Sequence, residues 1–130
     1  MYNVFIKDFV SLSFNSERNI LTIRFLYGEV EPKKIKKLVN IVNQIVNDQH
    51  ITLIIDLSMK INMLSDFRTL FWKEIKELNI VSLIIVSKNK FQKTLYNIIK
   101  PFTTLNNTVN YRFVYSLDEA IKVSLEISSS

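Results

Sequence analysis

The chain has 130 residues, 48% of them hydrophobic and 22% charged, which suits one domain (1–130) with a single real core. Seventeen Lys and Arg against twelve Asp and Glu leave a formal charge of +5, ordinary for solubility although it favours acidic over basic partners. The absence of cysteine excludes disulfides and thiolate chemistry.

The opening "MYNVFIKDFV" lacks the basic start and long apolar run of an export signal. No apolar stretch approaches the roughly 20 residues of a membrane span, so a cytoplasmic protein without a transmembrane segment is the expectation. "VSLSF" (10–14) alternates Val10, Leu12 and Phe14 with Ser11 and Ser13, "NSERN" offers turn residues, and "ILTIRFLY" (20–27) is again strand-like. This predicts an antiparallel hairpin. After Gly28, the only glycine, and the helix-starting Pro32, residues 33–47 carry Ile35, Leu38, Val39, Val42, Ile45 and Val46 at helical spacing.

"ITLIID" (51–56) and "VSLIIVS" (81–87) are almost uninterrupted aliphatic runs, the pattern of parallel strands covered on both faces. Between them, Phe67, Leu70, Phe71 and Ile75 mark one stripe of a second helix over 65–78, making a strand-helix-strand crossover, right-handed by the general rule. Phe91, Leu95, Ile98 and Ile99 define a third helix that Pro101 ends or kinks, and "VNYRFVY" (109–115) reads as a less buried strand. Ser116, three residues before Glu119, predicts a capping box and a last helix to about Ile127. The expected fold is α/β, a single mixed β-sheet with elements in the order β-β-α-β-α-β-α-β-α.

A single glycine excludes the P-loop and the dinucleotide fingerprint, both of which need several glycines for backbone amides to approach phosphate. One histidine and no cysteine leave no basis for zinc, and no cofactor is expected. His50 precedes a strand, at the end away from where α/β sheets hold ligands, so a surface histidine is the reading and a serine-histidine-acid triad is disfavoured. Lys33, Lys36 and Lys37 fall opposite the apolar stripe of the first helix, with Lys34 on its border. That is a solvated face, and without neighbouring aromatic residues it does not favour nucleic acid.

"DLSMKINMLSDF" (56–67) carries the remaining signal. Asp56 closes a buried strand, Ser65 opens a helix, and Asp66 sits in its first turn, as a cap with a favourable dipole contact requires. A hydroxyl there is equally a place where phosphorylation would add nearly two negative charges. The pattern "IIDLSMKINMLSDFRTLF" resembles the strand-loop-helix of STAS domains, the fold of bacterial anti-sigma factor antagonists, which have an Asp-Leu-Ser strand end and a Met-Asp-Ser-Ser-Gly helix start. Asp56, Leu57 and Ser58 match the first part, and Met63 and Ser65 the second. The resemblance puts Ser65 in the place of the phosphorylated serine, while Leu64 and Phe67 stand where the family has aspartate and glycine. The later "LIIVS", "KFQKTLYNIIKPF" and "SLDEAI" are similar to a STAS-like branch grouped with CRAL-TRIO lipid-transfer domains.

The resemblance implies a STAS-like scaffold, and the switch-like position of Ser65 together with the absence of catalytic groups points to a non-enzymatic signalling module. Its partner-binding candidates are Asp56, Ser58, Lys60, Met63, Ser65, Asp66 and Trp72, the last an amphipathic ring beside Phe71. The alternative is a carrier of an apolar, lipid-like ligand lined by Phe67, Phe71, Phe91 and Phe102. An enzyme is the least supported class, resting on Asp56, Lys60 and Ser65 acting together. A homodimer is expected through the N-terminal hairpin or an aromatic helix face, because the hairpin strands read as apolar on more than one face at a sheet edge.

Overall fold

Ile51–Asp56 and Ile80–Val86 lie side by side as parallel neighbours, as their aliphatic composition predicts. The structure, a computed structural model, describes residues 2–6, 10–26, 28–29, 33–57, 61–62, 73–75, 78–87 and 110–128. Within these, the strands are β1 (Tyr2–Ile6), β2 (Val10–Asn15), β3 (Ile20–Phe25), β4 (Gly28–Glu29), β5 (Ile51–Asp56), β6 (Ile61–Asn62), β7 (Ile80–Val86) and β8 (Asn110–Val114). Helices α1 (Lys33–Val46) and α2 (Leu117–Ser128) flank them, and residues 73–75 are helical, within the span predicted for the second helix. The predicted third helix lies outside the described residues.

One six-stranded mixed sheet has the order β1-β2-β3-β5-β7-β8. β1, β2 and β3 are antiparallel neighbours, whereas β3, β5, β7 and β8 run parallel. The fold is thus α/β with a principal mixed sheet, and β1, β4 and β6 add to the expected order. β4 and β6 form a separate parallel pair of two residues each. The predicted hairpin is β2-β3, closed by a turn in which Asn15 Oδ1 accepts from the amides of Glu17 and Arg18 and Asn19 takes a φ of 55°. Asparagine tolerates that left-handed conformation because its short side chain bonds locally.

Alternation divides the apolar residues between two cores. Val10, Leu12 and Phe14 of β2, Leu21, Ile23 and Phe25 of β3, and Leu53 and Ile55 of β5 meet Leu38, Val39, Val42 and Val46 of α1. On the other face, Ile54, Ile84, Val86 and Val114 pack with Ala120 of α2, with Leu117, Val123 and Ile127 at the margin. Lys36 and Lys37 are exposed, as the solvated-face reading requires; the side chains of Lys33 and Lys34 lie outside the described set. No helix among the described residues is long and apolar enough to cross a membrane.

Two local features depart from simple alternation. Ile51 pairs with Ile80 but Thr52 pairs with Ser82, so Val81 is an extra residue, a bulge that leaves it 46% exposed. The bulge resets the parity of β7, which lets Ile80 join Leu83 and Ile85 in the α1-side core. At α2, Ser116 Oγ accepts from the Glu119 amide at 3.1 Å, the expected cap, but the Glu119 carboxylate accepts from the Tyr115 amide at 3.3 Å rather than from that of Ser116. The chain turns off the sheet at Tyr115, which brings that amide to the carboxylate one residue early.

The hairpin does not have the surface expected of it. β2 buries Val10, Leu12 and Phe14 and turns Ser11, Ser13 and Asn15 to the other face, half-buried. Its outer edge is paired with β1. The chain itself covers the edge that was assigned to a second copy.

Candidate functional site at the carboxyl rim of the sheet

Parallel β3, β5, β7 and β8 all finish on one side, and a single row crosses the sheet there: Arg24, Asp56, Val86 and Val114 are successive register partners. Alternation puts this row on the α2 face, where Val86 and Val114 belong to the second core. Asp56 is therefore walled on one side by aliphatic groups and is 1% exposed. A carboxylate in such surroundings needs a compensating charge. Arg24 supplies it, with Nε 3.4 Å from Asp56 Oδ2 and the side chain 46% exposed. One end of the ion pair is in the protein and the other is in water.

The pairing of β5 with β7 extends past the strands: the Leu57 amide donates to the Val86 carbonyl at 2.8 Å, and the Ser87 amide donates to the Val114 carbonyl at 3.0 Å. Ser87 is itself buried. The backbone pairing thus continues through Leu57 and Ser87, one residue past the ends of β5 and β7.

Of the residues singled out from the sequence, Asp56 is described, its covered carboxylate facing the half-exposed Arg24. Ser58, Lys60, Met63, Ser65, Asp66 and Trp72 lie outside the described residues, as do Phe67, Phe71, Phe91 and Phe102. His50 is exposed, just before Ile51 and so at the opposite end of β5 from Asp56. Among the described residues, no histidine stands near the rim.

A cleft of about 390 Å³ lies toward the amino ends of β7 and β8, lined by Ser82, Leu83, Ile84, Asn110, Tyr111, Arg112 and Ile127. It is away from the rim, which ends at Asp56, Val86 and Val114. Sequence reasoning passed over Arg24, the residue that the structure sets against Asp56. It is the only charge within "ILTIRF", near the carboxyl end of the strand, but that the strand lies beside "ITLIID" is known from the pairing alone. No protein-family model matches the chain, and no curated protein matches it.

Proposed function

We propose that the chain is a STAS-like protein-interaction module that acts without catalysis, its partner surface being the segment that leaves the carboxyl end of β5. The observation that carries this reading is the Arg24–Asp56 ion pair on the rim row. Buried ion pairs contribute little net stability compared with an apolar pair of similar volume, and their best use is to specify one arrangement. Here the arrangement specified is the exit of the 58–65 segment. Asp56 acts as its anchor, with Ser58, Lys60, Met63, Ser65, Asp66 and Trp72 as the contact set. Ser65 is the switch, since a phosphate beside Asp66 reverses the local charge balance set by Lys60. The cysteine-free composition supports a cytoplasmic setting, and self-association belongs to the same reading.

The test is affinity capture from native cytosol with the intact protein, Ser65→Asp and Arg24→Ala, followed by titration of any captured protein against each purified form. Ser65→Asp is expected to change the affinity by about tenfold or more, equivalent to about 1.4 kcal/mol. A partner retained equally by all three forms, or by none, overturns the reading. If Ser65 is only a cap, Ser65→Ala costs about 1 kcal/mol in stability and leaves binding unaltered.

A further inference from the structure

Among the described residues β8 is the last strand of the sheet, and its four leading residues are exposed. Because the Val114 carbonyl accepts from Ser87, the backbone groups of Val114 point toward β7. Strand alternation then turns the N–H and C=O of Tyr111 and Phe113 outward, away from the sheet. Among the described residues nothing bonds them. The Tyr115 amide, next in this series, is taken by Glu119.

The outward residues are also the aromatic ones. Tyr111, Phe113 and Tyr115 are 46%, 39% and 59% exposed, and the rings of Tyr111 and Phe113 meet edge to face with centroids 6.3 Å apart. A strand with unpaired amides and exposed aromatic side chains is a template for another strand.

We infer that β8 pairs antiparallel with β8 of a second copy about a two-fold axis at Phe113, extending the sheet across a homodimer. This rests on the self-association in the preceding reading and moves it from the hairpin to the opposite edge. Two registers are compatible with the free groups. An axis at Arg112 puts one guanidinium directly opposite another, and like charges so placed repel. An axis at Phe113 places Phe113 opposite Phe113, Tyr111 opposite Tyr115, Arg112 opposite Val114 and Asn110 opposite Ser116. In that register the Phe113 groups bond reciprocally, and each Tyr111 amide donates to the opposing Tyr115 carbonyl. The Tyr115 amide needs no partner, because Glu119 already accepts from it. A second copy thus pairs the Phe113 groups and the Tyr111 amide without opposing two charges, leaving the Tyr111 carbonyl to solvent, which an arbitrary peptide does not guarantee.

Fully covered aromatic side chains bury about 150–250 Å² each, so the three exposed fractions leave roughly 300 Å² of aromatic surface per protomer. The total stays well under the ~1,200 Å² of a standard stable interface, which makes this a weak, concentration-dependent dimer.

Sedimentation equilibrium from low micromolar to about 1 mM, a range in which weak pairs become populated, reads the mass of the full chain. A rise from 15.3 kDa toward twice that value is expected. Phe113→Lys, which sets two ammonium groups against each other at the axis, is expected to abolish the rise while leaving the circular dichroism spectrum and the partner titration unchanged. Arg112→Ala is expected to leave the dimer intact, and marked tightening would identify the Arg112-centred register instead. A monomer over the whole range, or a dimer indifferent to Phe113→Lys, overturns the inference without touching the β5 segment reading. A monomer that gains a strand only from an added peptide overturns it in favour of a foreign occupant.

Discussion

At the residue scale, Arg24 and Asp56 divide the work of one ion pair unequally, because one is half in water and the other is 1% exposed. Removing the cation leaves a covered carboxylate with less compensation, whereas removing both charges relieves the penalty. Arg24→Ala is expected to cost about 1–2 kcal/mol, below the 3–5 typical of a fully buried pair because solvent already screens the guanidinium. Adding Asp56→Asn to that variant is expected to restore part of the loss, read as a shift of the urea midpoint at constant slope. If Arg24→Ala is indistinguishable from wild type, the other contacts of Asp56 hold its charge. The position of Asp56 was legible from "ITLIID", since an acidic residue at the end of an aliphatic run marks the strand's exit. Its partner was not, because β3 and β5 are separated by a helix and their register is set by three-dimensional pairing rather than by any local pattern.

At the scale of elements, β7 and α2 show what periodicity captures and what it misses. α1 and α2 were readable because each buries a regular stripe, β5 and β7 because each is an almost uninterrupted aliphatic run, and the cap of α2 because Ser116 and Glu119 have the spacing that closes a box. Ser116→Ala is expected to cost about 1 kcal/mol, measured by thermal or urea unfolding, since one end of α2 then loses the acceptor for the Glu119 amide. The bulge at Val81 was not readable. Ile80, Val81, Leu83, Ile84, Ile85 and Val86, interrupted only by Ser82, offer apolar residues at every parity, so nothing in the run marks the extra residue. The structure separates their energetics. Val81→Thr, at an exposed bulge, is expected to change stability by no more than about 0.5 kcal/mol, whereas Leu83→Ala, fully buried in the α1-side core, is expected to cost about 2–5. Equal effects at the two sites would mean that the parity of β7 is not the one described.

For the whole molecule, the central constraint is that a sheet has two edges, and this one treats them differently. β8 is guarded by one cation, Arg112, and by a helix cap that consumes the Tyr115 amide. At the other side, β1 lies over β2 with five register pairs from Tyr2↔Phe14 to Ile6↔Val10. β1 escaped the sequence reading because its residues gain a strand's regularity only through that pairing. β2 was legible, but its role as an interior strand was not. Removing residues 1–9 leaves β2, whose side chains already complete a core through Val10, Leu12 and Phe14, with a bare outer ladder of amides and carbonyls. Such an edge pairs with whatever strand it meets. The truncated chain is therefore expected to keep its α1 and α2 packing yet to form assemblies larger than a dimer, because β2, a six-residue strand anchored in the core, then replaces the five-residue β1 as the edge opposite β8. Light scattering against concentration, with Phe113→Lys introduced into the truncated chain, separates the two contributions. The substitution is expected to cap growth at a pair joined through β2. A truncated chain that remains monomeric would show that β1 is not what protects the antiparallel side of the sheet.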